Sequence, residues 1–320
     1  MPRFKNDMPS GVIPACLLPF DADFGIDEAG FRKHLADVGG VDGISAVTVN
    51  AHASEVASCT FDEQIRVMRI TGEALGDRLP IVAGIYADGS FEAARLARMA
   101  QREGAAALLV FPSQTLGMGG ALRPEMALAH FKAIADASDL PLIVFQYPQA
   151  SNVQYPFDTL LELFEQVPTI RAIKDWCNDA MLHERQVTTF QSLPRPVTVL
   201  STHSAWLMSS LVLGCNGLLS GAGSVIADLQ VALFRAVQAD DLKAAKRINK
   251  RMLPMVQAFY APPFLDMHNR MKEALVLLGR LDKAVVRPPL MKLDAGEIAR
   301  LKAAIKAAGL ARDGAFASAA

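Results

Sequence analysis

At 320 residues the chain is long for one domain, yet 51% hydrophobic and 20% charged residues supply ample material for one large core and exclude a disordered polymer. Lys plus Arg (32) nearly balance Asp plus Glu (33), a formal net charge of -1, so no basic surface invites nucleic acid or a membrane, and a small-molecule ligand is expected. No stretch gives the apolar run of a signal peptide or the ~20 residues of a membrane span, which points to a cytoplasmic protein; Cys16, Cys59, Cys177 and Cys215, without Cys-x-x-Cys pairing, read as reduced, packed thiols.

In chain order, short runs rich in Val, Ile and Leu alternate with amphipathic segments of helical length, as in a parallel sheet with crossover helices. Strands are expected at residues 12–18, 44–49, 80–85, 106–111, 141–146, 170–174, 197–201 and 217–220. Helix starts are signalled by Asp27 with Glu28, by Thr60 and Glu63 as a capping box, by Ser90 before Phe91 and Glu92, and by Pro124. No Gly-x-Gly-x-x-Gly follows the first strand, so eight strand-helix units in series predict a closed (β/α)8 TIM barrel over residues 10–239. From Asp240 the pattern is helical alone, at 243–255, 270–279 and 294–308, and predicts a C-terminal helical domain over 240–312 with a frayed Ala-rich tail at 313–320.

Barrel chemistry sits at the C-terminal ends of the strands. There, Lys174 closes the sixth strand in Arg171-Ala172-Ile173-Lys174-Asp175-Trp176, directly after apolar residues. Burial disfavours the ammonium and frees a neutral amine to attack a carbonyl, although a lone strand-end lysine is more often simply solvated.

The rest of the chain adds weight to the reactive reading. Residues 11–20 (GVIPACLLPF), 47–55 (VTVNAHASE), 130–136 (HFKAIAD), 140–148 (LPLIVFQYP), 170–175 (IRAIKD), 213–223 (LGCNGLLSGAG) and 269–279 match, in order and spacing, a known pattern. On these segments the chain resembles the dihydrodipicolinate synthase and N-acetylneuraminate lyase family of class I aldolases. The resemblance implies a barrel with C-terminal helices, assembly as a homotetramer or homodimer, and a Schiff-base lysine at Lys174.

It also breaks in places. The family's Gly-Thr-Thr-Gly-Glu appears as Asn50-Ala51-His52-Ala53-Ser54-Glu55, its fifth-strand tyrosine falls on Phe145, and its shared tyrosine has no counterpart in Phe111-Pro112-Ser113-Gln114-Thr115. An arginine that would hold a semialdehyde carboxylate aligns with Ala150. His52 and Tyr147 are the candidate replacements for acid-base work, each with an ordinary alternative as a loop histidine or a rim tyrosine. Ser54, Phe145, His203, Ser220 and Gly221 are candidate substrate contacts; a cap, a turn or a packed ring explains each as readily. No His-x-His pair or carboxylate cluster is visible at strand ends, so neither metal nor other cofactor is expected.

The reading that follows is a Schiff-base-forming lyase acting on a small 2-oxo acid, by retro-aldol cleavage to pyruvate or dehydration of a 2-oxo-3-deoxy sugar acid, and not the lysine-pathway synthase. A non-catalytic binding paralogue and a phosphate-dependent barrel enzyme are the alternatives; retention of Lys174 argues against the first.

Overall fold

A parallel strand covered by helices must be apolar on both faces, and in the computed structural model, which describes residues 2–311, all eight predicted strands form and are almost wholly buried. They are β1 (Gly11–Pro14), β2 (Val47–Val49), β3 (Ile81–Ile85), β4 (Ala107–Val110), β5 (Leu142–Gln146), β6 (Ile170–Asp175), β7 (Thr198–Ser201) and β8 (Gly217–Ser220). From β2 to β8 each strand pairs in parallel with the next, and β8 pairs with β1 from Gly217 opposite Gly11 to Ser220 opposite Pro14. Residues beyond Pro14 cross to β2, where Cys16 N donates to Thr48 O at 2.8 Å and closes the barrel. Gly84 is required where β3 meets the loop after β2, because a Cβ there would stand 1.9 Å from Asn50 O.

The outer ring is α1 (Glu28–Gly39), α2 (Phe61–Leu75), α3 (Ser90–Arg102), α4 (Pro124–Ala135), α5 (Phe157–Gln166), α6 (Ala180–Gln191), α7 (Leu207–Val212) and α8 (Gly223–Gln238). The expected capping box is present: Glu63 N donates to Thr60 Oγ1 at 3.2 Å and Thr60 N to Glu63 Oε2 at 2.8 Å. Asp27 caps α1 through Gly30 N. Ser90 is not a cap; it is the first residue of α3, and its hydroxyl pairs with His130 Nδ1 at 3.0 Å.

Three further helices follow, α9 (Leu242–Phe259), α10 (Met267–Leu277) and α11 (Ala295–Ala307). They are not a loose appendage, since Met252, Met255, Phe259, Met271 and Leu275 belong to the same apolar core as the barrel. The tail at 313–320 lies outside the described residues.

Lys272 on α10 joins this segment to the barrel. Its Nζ lies 2.5 Å from Glu55 Oε1, both side chains being buried, and Arg287 N donates to Glu55 Oε2 at 3.0 Å. The Arg287 guanidinium in turn binds Glu63, Ser58 O and Phe24 O. Glu55 therefore holds the loop after β2 against the C-terminal segment. Lys272→Met should cost about 3 to 5 kcal/mol in denaturant unfolding, because it strands a buried carboxylate, and adding Glu55→Gln should recover part of the loss.

Candidate functional site

The register of the barrel decides which side chains meet at its mouth. Lys174 on β6 stands opposite Phe145 on β5 and Leu200 on β7, with only 6% of its surface exposed. Its Nζ lies 3.8 Å from the centre of the Phe145 ring. The ring face favours a cation, but burial outweighs it and lowers the amine from 10.5 to about 7. At neutral pH a substantial fraction of Lys174 is therefore a free amine.

Lys174 faces a narrow cavity of about 40 Å³ lined also by Ala51, His52, Phe145, Thr202, Gly221 and His268. His52, Met267 and His268 belong equally to a wider, mostly apolar groove of about 430 Å³ beside it. The amine thus lies beyond a narrow inner chamber next to a roomier outer one.

An aromatic cluster backs Phe145 and His52. Phe145 packs edge-on against Phe111 (5.2 Å between centres) and Tyr147 (4.6 Å), and His52 lies against Phe111 at 4.8 Å. Tyr147 does not line the cavity itself; its hydroxyl meets His52 Nε2 at 2.8 Å and reaches the chamber through that ring. Burial, then the charge of Lys174, lowers His52 to about 3, and burial raises the Tyr147 phenol well above its ordinary value. Both are neutral at physiological pH, and one proton is shared between them. That pair can accept or return a proton near the lysine.

The other candidate contacts divide. Phe145 and Gly221 line the cavity, and a Cβ on Gly221 would stand 3.1 Å from His268 Nε2, so a side chain there would press on the histidine ring. Ser54 does not reach it: its hydroxyl donates to Cys16 O at 2.9 Å and its N–H to Ala51 O at 3.0 Å, so both donors are used within the loop. Ser220 is likewise turned inward, paired with Ser204 Oγ and Gln230 Nε2 at 3.2 Å each. His203 also points away, stacked on Trp206 at 4.1 Å and directed at Asp175; Thr202 lines the cavity instead.

Sequence reasoning missed His268 and Tyr260. Both come from the C-terminal helical segment, which a search confined to strand ends does not examine. Burial, then the charges of His52, Lys174 and Lys272, holds His268 well below its ordinary value, so it too enters the site neutral. The expectation that no ligand cluster forms at strand ends is corrected as well: Asp175, Cys177, His183 and His203 converge behind Lys174. Asp175 and Cys177 are neighbours in sequence, but His183 and His203 lie 8 and 28 residues beyond Asp175 and join them through the packing of α6 on β7 and of β7 on β6.

Fold and site together define the class: a (β/α)8 barrel whose mouth carries a desolvated lysine. Comparison with known proteins narrows that class. The model of the dihydrodipicolinate synthetase family matches residues 8–308, and the chain belongs to that family. A 4-hydroxy-tetrahydrodipicolinate synthase of Kineococcus radiotolerans is 30% identical, over 94% of this chain and 93% of that protein. One from Maridesulfovibrio salexigens is 28% identical, over 94% and 98%. Among solved structures, a prophage protein of the family from E. coli K12 in complex with pyruvate superposes with a TM-score of 0.87 at 22% identity, covering 94% of this chain and 99% of that one. A monomeric dihydrodipicolinate synthase variant superposes at 0.85 with 21% identity, over 95% and 98%. The likeness therefore carries the fold and no particular assembly. Among the described residues no helix is long and apolar enough to cross a membrane.

These relatives overturn the expectation that the chain stands outside lysine-pathway synthesis, since those it matches over nearly its full length are named for that reaction. The expectation rested on absent side chains. Absence at an aligned position does not say what fills the space, and here a tyrosine and a histidine from other positions meet beside the lysine.

Between about pH 7 and 10.5 the unfolded chain holds a proton on Lys174 that the folded chain lacks, so this lysine opposes folding at neutral pH and ceases to do so as pH rises towards 10.5. Lys174→Met removes that effect. Its stability relative to the parent, measured by urea unfolding, should grow as pH falls from about 10 to about 7, by on the order of 1.4 kcal/mol per unit, and level off below.

Proposed function

We propose that this protein is an imine-forming lyase that binds pyruvate or a related 2-oxo acid on Lys174. The observation that carries the reading is the amine itself, buried at the strand end, lowered to about 7 and open to a cavity. The neutral amine adds to the C2 carbonyl, loss of water gives the iminium, and loss of a C3 proton gives an enamine that serves as the carbon nucleophile. The His52–Tyr147 pair is the group to take and return those protons. Phe145 lies beside the imine nitrogen, and Gly221 leaves room for the substrate below His268. The pyruvate complex of the E. coli family member supports this choice of ligand. The first reaction to assay is the one named for the relatives, pyruvate with aspartate semialdehyde.

Incubation with pyruvate and borohydride should leave a reduced adduct on the peptide carrying Lys174, seen by mass spectrometry, and Lys174→Arg should give none because guanidinium stays protonated. Trapping should weaken as pH falls below about 7, where the ammonium predominates. Tyr147→Phe should keep the trapped adduct while lowering turnover ~10²- to 10⁴-fold. An adduct on another lysine, or none with any 2-oxo acid, refutes the proposal.

A further inference from the structure

Four side chains that this chemistry does not use meet behind the reactive lysine. Asp175 ends β6, Cys177 follows in the loop, His183 stands on α6 and His203 follows β7. All four are buried, and one ligand atom from each lies within 4.8 Å of all the others.

Their ligand atoms are gathered closely enough for small side-chain shifts to bring them onto one ion. Asp175 Oδ2 is 3.4 Å from His203 Nε2 and 3.5 Å from Cys177 Sγ, and Cys177 Sγ is 3.9 Å from His203 Nε2. A tetrahedral ion with nitrogen and oxygen at ~2.0–2.2 Å and sulfur at ~2.3 Å separates its ligand atoms by roughly 3.3–3.7 Å. The fourth contact, His183 Nδ1 to Asp175 Oδ2, is a proton-sharing 2.6 Å. An ion takes the place of that proton, and the pair opens by about 0.7 Å.

The neighbouring polar groups hold both rings in place. Ser210 gives its proton to Ser201 at 2.6 Å, so His183 Nε2 donates to Ser210 at 2.8 Å. His183 Nδ1 shares a proton with Asp175, and that is the proton an ion displaces. His203 turns Nε2 towards the same carboxylate and thiol, while its buried Nδ1 has no hydrogen-bond partner. A thiolate, a carboxylate, two neutral imidazoles and one dication sum to zero charge, which a dry interior favours. An outer layer is also built: Ser210 orients His183, and the Gln186 amide, turned with its NH2 inward, donates to both Asp175 oxygens at 3.2 and 2.8 Å.

We propose that Asp175, Cys177, His183 and His203 form a closed, four-coordinate site for zinc. All four positions are filled by protein, so the ion has no open place for substrate and its role is to tie the end of β6, one residue beyond Lys174, to α6 and the loop after β7. The site stands apart from the imine reading and is tested without it.

Protein made in zinc-supplemented medium and dialysed against metal-free buffer should keep about one zinc per chain by elemental mass spectrometry. Cobalt added after chelator stripping should give tetrahedral d–d bands and a thiolate charge-transfer band. Cys177→Ser should abolish that band, Cys215→Ser should keep it, and His203→Gln should weaken zinc binding at least ~10-fold. Zinc below about one-tenth per chain, or a charge-transfer band that is absent from the parent or lost in Cys215→Ser, overturns the assignment whether or not Cys177→Ser folds.

Discussion

Everything at the mouth depends on keeping one ammonium-forming group out of water. A solvated lysine is protonated at neutral pH and cannot attack a carbonyl; the same lysine enclosed by Phe145, Leu200 and the strands of β5 to β7 loses that protonation preference. The enclosure is made by shape rather than by charge, since burial is what lowers the amine. A carboxylate beside it would restore the ammonium, and Asp175, the very next residue, is turned to the opposite side by strand alternation, where His183 and His203 receive it. One strand thus separates a group that must stay neutral from one that must stay charged.

On the proposed imine reading, His52 and Tyr147 stand in for the tyrosines that the family resemblance implies. Tyr147 follows the last residue of β5, two positions beyond Phe145, and His52 in the loop after β2 meets its hydroxyl at 2.8 Å. A relay made of two neutral groups differs from one made of phenols alone in that the imidazole offers a lone pair without first losing a proton.

The barrel was legible because its signals are local and repeated: apolar runs of strand length, a capping box at Thr60 and Glu63, and helices between. Lys174 was legible because the end of a parallel strand is a position with a known meaning. Ser54, Ser220 and His203 were misplaced for one shared reason. Each follows or ends a strand, but whether a side chain at such a position faces the cavity or the packed layer behind it depends on hydrogen bonds to partners far away in sequence, such as Cys16 O for Ser54 and Asp175 for His203. His268 lay beyond reach because helical periodicity on α10 marks a buried face and does not say what that face covers.

The Glu55 latch has a consequence for how the protein is made. Its partners, Lys272 and Arg287, lie 217 and 232 residues further along the chain, and His268 is supplied by the same late segment. A nascent chain that has already emerged through β8 holds Lys174 but neither the latch nor His268, so the cavity is completed only as the last helices leave the ribosome. Until those helices are in place, the cavity beside Lys174 lacks the side that Tyr260, Met267 and His268 supply.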